Sequence, residues 1–193
     1  IAVNSPIILE EAETAVKAFK KNISAGHSQI SSEALQEGGP LLTEALHTLF
    51  SAWWNVGYTP KQMQQATIIP LHKKDSLLKP ENYRPISLLD SIFKTYEKVL
   101  EKRLRALTLE KKLLSPLQMG AIQQSGTTEA LFQLLSATYS NQHNNKPVFL
   151  TFLDLSKAFD RVWRIGLWTK LWTMGVKGSI LRALHSTYDK QTF

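Results

Sequence analysis

Apolar positions recur along this chain at helical spacing in most segments and as short unbroken runs in a few, and the two patterns divide it into elements. After Asn4-Ser5-Pro6, the residues Leu9, Ala12, Val16, Phe19 and Ile23 fall three or four apart with charge between them. That spacing predicts an amphipathic helix over about 9–22. Residues 24–32 hold Gly, His and four Ser with no apolar period, which reads as loop. Gly39-Pro40 then opens Leu41, Leu42, Ala45, Leu46, Leu49, Phe50, Trp53 and Trp54, a buried helix with Gly57 as a left-handed stop. Ala66-Thr67-Ile68-Ile69-Pro70-Leu71 is short and β-branched, a strand entering a polar loop over 72–82. Tyr83-Arg84-Pro85-Ile86-Ser87-Leu88-Leu89 resumes extended structure, because a residue before Pro is pushed out of the helical region.

Asp90 or Ser91 caps the next predicted helix, in which Phe93, Tyr96, Leu100, Leu104 and Leu107 repeat at helical spacing; Lys94, Lys98, Lys102 and Arg105 mark its outer face. A turn at Ser115-Pro116 and a segment over 120–126 lead to a helix capped by Thr127 or Thr128 and carrying Leu131, Phe132, Leu134, Leu135 and Thr138. Asn144-Asn145-Lys146-Pro147 breaks it. Val148-Phe149-Leu150-Thr151-Phe152-Leu153 is a nearly continuous apolar run, the pattern of a strand covered on both faces, and it ends at Asp154. Helices over about 167–174, stopped by Gly175, and 179–188 follow.

Composition narrows the chemistry. At 193 residues and 43% hydrophobic content the chain supports a substantial core. Twenty-three Lys and Arg against sixteen Asp and Glu give +7, which makes a polyanion, nucleic acid first, the expected partner. The absence of cysteine excludes disulfides, thiolate zinc sites, iron–sulfur clusters and cysteine nucleophiles. The five His show no ligand spacing, and the five Trp, mostly beside Leu, read as core or partly covered surface. No apolar run reaches the roughly 18 residues of a membrane span, so no membrane partner is expected. The chain starts at Ile1 and stops at Phe193 without a polar tail, so both ends read as cut.

The segment Phe152-Leu153-Asp154-Leu155-Ser156-Lys157-Ala158-Phe159-Asp160 is the richest in chemistry, since the predicted strand delivers a carboxylate at its end. Such an Asp either holds a divalent cation, which wants hard oxygen ligands, or caps the turn that follows. Both readings stand on spacing alone.

Taken together, Asp154-Leu155-Ser156-Lys157-Ala158-Phe159-Asp160 and Tyr83-Arg84-Pro85-Ile86-Ser87 resemble the reverse transcriptases of non-LTR (LINE-like) retrotransposons. The resemblance runs nearly end to end. The helical lead-in with Trp53-Trp54, Ile68-Ile69-Pro70-Leu71-His72-Lys73-Lys74, the long helix, Gln118-Met119-Gly120 and Ser125-Gly126-Thr127-Thr128-Glu129-Ala130-Leu131 follow in the family's order.

The resemblance implies an α+β fold: helix-rich fingers with the lead-in over 1–147 and the first part of a right-hand polymerase palm over 148–193. It implies that Asp154 is a catalytic residue and a Mg2+ ligand of the intact enzyme, that Lys73 and Arg84 contact the incoming deoxynucleoside triphosphate, and that Phe159 lies beneath its sugar and excludes a 2′-hydroxyl. Lysine as a point charge and arginine as a bidentate fork suit phosphate oxygens. Against these roles stand plainer ones: Phe159 in a core, Arg84 at the surface or capping a helix, Lys73 and Lys74 solvated in a loop. Asp160 reads as structural, a cap for the next helix. The lysine stripe from Lys94 to Arg105 either tracks phosphates or is a solvated face, the latter favoured by Glu97, Glu101 and Glu110 and by the four-residue spacing of Glu101 and Arg105.

Partners implied are an RNA template, a DNA primer and deoxynucleoside triphosphates, in the nucleus, where the family's chromosomal targets lie. The chain departs from the family at Ile23-Ser24-Ala25-Gly26-His27-Ser28-Gln29, which keeps only the central Gly of a Lys-Ala-Pro-Gly-Pro-Asp-Gly loop, and at Gly120-Ala121-Ile122, where Gly-Phe-Arg is usual. No aromatic-x-Asp-Asp hairpin occurs by Phe193. The expectation is therefore a fragment of an RNA-directed DNA polymerase, inactive by itself, with a non-catalytic RNA-binding remnant of such an element as the alternative.

Overall fold

The structure is a computed structural model that describes residues 2–21, 23–122, 125–156, 158–159 and 161–188. It is mixed α and β: helices α1 (Leu9–Lys17), α2 (Ser32–Glu37), α3 (Gly39–Val56), α4 (Ser91–Glu110), α5 (Thr127–His143), α6 (Arg164–Thr173) and α7 (Ser179–Tyr188), with strands β1 (Ala66–His72) and β2 (Tyr83–Leu89). The chain divides into two compact units, Ile1–Leu107 with Trp168–Phe193, and Thr108–Leu167.

The first unit holds the core. α3 contributes Leu46, Phe50, Trp53 and Trp54, α4 contributes Tyr96, Val99, Leu100 and Leu107, α1 contributes Ala12, Ala15 and Val16, and α7 contributes Ile180 and Ala183. The rings of Phe50, Trp53 and Tyr96 meet with centroids 5.2 to 5.7 Å apart. Each such buried side chain is worth about 1.5 to 3 kcal/mol of transfer free energy. α3 stops as the sequence predicts: Gly57 is left-handed, φ 69°, and its N–H donates to the Trp53 carbonyl at 2.8 Å. Asp90 caps α4, accepting the Ile92 N–H at 2.8 Å.

α1 is shorter than its apolar period suggests. It ends at Lys17 because the Gln36 amide donates to the carbonyls of Val16 and Phe19, at 3.3 and 3.0 Å, closing the helix from a neighbouring element. Gln36 belongs to α2, which follows the loop predicted over 24–32 and for which the sequence reading predicts no element; Ser31 caps it by accepting the Ala34 N–H at 3.1 Å. The preceding loop is held by proximity. A Cβ on Gly26 would lie 2.5 Å from backbone atoms of Leu89 and Asp90, so this position of the loop has no room for a side chain.

An ion pair is buried in this unit. Arg103 and Glu11 are nine-tenths or more buried, with Nε donating to Oε1 at 2.7 Å and Nη2 to Oε2 at 2.6 Å. The guanidinium also donates to the carbonyls of Ser5, at 2.6 Å, and Pro6, at 2.8 Å, and lies 4.7 Å from the Trp54 ring centroid. Glu11 in turn accepts the Ile8 N–H at the start of α1. Burial pushes the Glu11 carboxyl up, but the Arg103 hydrogen bonds, the Ile8 N–H and nearby positive charge outweigh it and hold the group below its usual range.

β1 and β2 form an antiparallel pair in which Ala66 faces Leu89 and His72 faces Tyr83. The Lys73 N–H donates to the Asn82 carbonyl at 2.8 Å, extending the ladder one residue and fixing its phase. By that phase Pro70 and Pro85 oppose each other at a non-hydrogen-bonded pair, so neither proline costs a rung. Most of the hairpin is exposed, Ile68, Ile69, Leu71 and Ile86 included.

In the second unit α5 begins one residue earlier than the threonines suggest: Gly126 is the cap, and Glu129 Oε2 accepts its N–H at 2.7 Å. The strand predicted over 148–153 is not formed. Those residues are irregular, with Phe149 91% and Leu153 92% exposed. A strand exists through the ladder it joins, and among the described residues β1 and β2 pair only with each other. An apolar run reports a demand for cover, and this unit supplies none: no described residue in it is buried.

Candidate functional site

The hairpin brings two of the predicted residues together. Arg84 lies opposite Leu71, and the continued register sets Lys73 opposite Asn82, so Lys73 and Arg84 are diagonal neighbours on one face, about 7 to 8 Å apart by ladder geometry. Ile69, Leu71, Ile86 and Leu88 share that face. Both cations are exposed, and neither forms an ion pair among the described residues. On the opposite face His72 and Tyr83 stack edge to face at 5.3 Å, and the Tyr83 hydroxyl donates to the Leu77 carbonyl at 3.0 Å, tying the loop to the strand. Among the described residues Arg84 caps no helix; it stands as an exposed fork on a strand.

Asp154 and Phe159 belong to the second unit. Asp154 is exposed on the irregular segment, and its carboxylate accepts no hydrogen bond among the described residues, so it does not cap the following turn. Phe159 is 95% exposed, so it is not packed in a core among the described residues. Asp160 and Lys157 lie outside the described residues. Among the described residues no group of three His, Asp or Glu side chains converges as a metal centre. Asp154 thus supplies one hard oxygen donor, and the described residues alone do not assemble a magnesium site.

Two of the four cations in the basic stripe of α4 are engaged. Lys98 lies 4.9 Å from the Phe19 ring centroid and donates to the Ala18 carbonyl at 3.4 Å, and Arg105 Nε donates to Glu101 at 2.6 Å. Between them burial, opposed by nearby Lys94, pushes the Glu97 carboxyl up to about 7. Arg103 escaped the sequence reading, although a signal existed: it continues the buried row Tyr96, Leu100, Leu107 at helical spacing, where a cation demands a partner. The tryptophans also divide. Trp53 and Trp54 are core, but Trp163 and Trp172 are 73% and 52% exposed.

Comparison with known proteins agrees with the motif order. The family described as reverse transcriptase (RNA-dependent DNA polymerase) matches residues 71–192. The probable RNA-directed DNA polymerase from transposon BS of Drosophila melanogaster is 31% identical over 167 residues, 86% of this chain and 18% of that protein. The RNA-directed DNA polymerase from mobile element jockey of the same fly is 29% identical over 164 residues, covering 84% of this chain and 18% of its own. The retrovirus-related Pol polyprotein from type-1 retrotransposable element R2 of Popillia japonica is 30% identical over 176 residues, 89% of this chain and 23% of its own. The chain therefore spans roughly a fifth of the length of these relatives.

Proposed function

Because the chain belongs to the reverse transcriptase family, we propose that it forms the fingers and the first part of the palm of a non-LTR retrotransposon's RNA-directed DNA polymerase. In this reading the protein adds deoxynucleotides to a 3′-hydroxyl of a DNA primer on an RNA template, and works in the nucleus. The observation that carries it is the hairpin: a lysine and an arginine on one face, neither in an ion pair among the described residues, ahead in sequence of Asp154, as the family's order requires. Arg84 grips phosphate oxygens bidentately and Lys73 adds a point charge, so both bind and orient the triphosphate and offset charge on its leaving group. Phe159, fully available at the surface, excludes a 2′-hydroxyl by its bulk. Asp154 is one magnesium ligand among several, and the metal would serve as a Lewis acid on phosphoryl oxygens.

Primer extension with magnesium, RNA template and deoxynucleotides tests this in the full open reading frame that contains the chain. Arg84→Ala should raise the KM for deoxynucleotides and leave template–primer affinity nearly unchanged, whereas Asp154→Asn should act on kcat. Near-normal extension by Asp154→Asn removes the metal assignment. A full-length protein that binds RNA but extends nothing returns the reading to a non-catalytic remnant. The 193-residue chain by itself should bind RNA in a salt-dependent way and extend no primer.

A further inference from the structure

We propose that the cavity beside α7, in the first unit, receives one unpaired nucleotide of a single-stranded nucleic acid. It has a volume of about 630 Å³, within the range of about 300 to 1,000 Å³ typical of ligand sites. Three features of its wall select the ligand. Lys61, Arg182 and His185 line it, and no carboxylate does so among the described residues, so an anion is favoured. Tyr58 and Trp172, both about half exposed, provide flat aromatic surface, and Lys177 sits 4.9 Å from the Trp172 ring centroid. Gln64 lines it too and is 4% exposed; its amide nitrogen donates to the carbonyls of Thr59 and Ser186 at 2.8 and 2.9 Å. Turning the amide over would set its oxygen against two carbonyls, so the orientation is fixed and Oε1 remains a buried acceptor without a donor. A ligand that reaches Oε1 through a small shift of the wall relieves it.

A nucleotide meets all three demands together. Its phosphate suits the cations, its base has two faces for the aromatic rings, and every common base offers an N–H to an amide oxygen. An acidic peptide meets the first and third demands but lacks the stacking face. The cavity uses none of Lys73, Arg84, Asp154 or Phe159, so the proposal goes beyond polymerase chemistry and can fail while that reading stands.

The test is fluorescence anisotropy on the 193-residue chain, with a labelled single-stranded RNA of about 12 nucleotides and a strand of equal charge in which every base is absent. Wild type should prefer the strand with bases by about tenfold, in line with stacking on aromatic side chains. Trp172→Ala should abolish that preference, and Arg182→Ala should weaken both strands and flatten the salt dependence. Lys73→Ala with Arg84→Ala should preserve the preference, which separates this cavity from the hairpin. Thermal melts verify that each variant folds, and all of the substituted side chains are exposed. Equal binding of the two strands by wild type, or a preference that survives both Trp172→Ala and Tyr58→Ala, overturns the proposal. So does competition by an acidic peptide at concentrations where uridine 5′-monophosphate has no effect.

Discussion

Replacing Arg103 with Met removes the guanidinium but keeps an unbranched stem against Trp54. The carboxylate of Glu11, 4% exposed, then loses both of its short bonds to Arg103 and keeps only the Ile8 N–H, while the Ser5 and Pro6 carbonyls lose their donor. Breaking a buried pair from one side typically costs about 3 to 5 kcal/mol, a large share of the roughly 5 to 15 kcal/mol that holds a domain together. In urea that is a midpoint lower by about 2 M. Adding Glu11→Gln should recover at least about 1 kcal/mol, because the stranded charge is what costs most. The pH dependence has a definite sign. In the wild type the Glu11 carboxyl is lowered from 4.5, so its stabilisation is present above that pH and is lost as pH falls below it. In Arg103→Met the unpaired carboxyl is raised by burial, so that variant gains on acidification. The difference between the two proteins should therefore narrow between pH 7 and pH 4. A loss under about 1 kcal/mol at pH 7, or a difference that stays constant down to pH 4, would refute the electrostatic account.

Glu97, raised to about 7 from 4.5, keeps a proton in the folded state that the unfolded chain releases, so stability falls as pH rises from about 4.5 through 7. Glu97→Gln should match wild type at pH 4 and exceed it at pH 8 by at most roughly 3 kcal/mol in thermal melts, an upper bound because the side chain keeps some solvent contact. Gly26→Ala should cost about 1 to 3 kcal/mol in urea unfolding, since its Cβ meets backbone at 2.5 Å, whereas Gly120→Ala, with nothing within 4 Å, should cost close to nothing; equal values would remove the close-approach argument. Phe159→Val should leave the melting temperature unchanged, as the ring is exposed, while raising ribonucleotide use relative to deoxynucleotide use about tenfold in the full polymerase; a lowered melt with an unchanged ratio would take Phe159 out of the site.

Helices α3 and α4 were legible because each buries one continuous stripe and carries its own stop or cap in sequence, Gly57 in one and Asp90 in the other. The two strands were legible as extended segments, one from its β-branched run and the other from the residue before Pro85, whereas their pairing, which sets Lys73 beside Arg84, came from the structure. α2 was hidden because six residues show no period, and the end of α1 because Gln36, nineteen positions beyond Lys17, sets it. Arg103 was hidden by its neighbours in a basic stripe, since periodicity separates faces but does not say that a cation will cross to the buried one. The run over 148–153 misled for the opposite reason. Its composition describes an environment covered on both faces, and periodicity cannot say whether a neighbour supplies that cover. Asp154, placed by its motif, is correspondingly the site residue for which the local fold says least.

The facing prolines of the hairpin also govern what cannot happen to it. At a non-hydrogen-bonded pair the N–H groups point away from the partner strand, so the outward positions of β1 are Ala66, Ile68, Pro70 and His72, and those of β2 are Tyr83, Pro85, Ser87 and Leu89. In each set the inner member nearer the connecting loop is a proline and offers no hydrogen. An exposed two-stranded ribbon rich in isoleucine would otherwise be a template for self-association, with two open edges on which a further chain could nucleate. Here a third strand laid along either edge would find a donor missing on the half nearer the connecting loop. The paired prolines thus make each edge of the ribbon a poorer template for a further strand, a protection set in the backbone and not in the charge of the side chains.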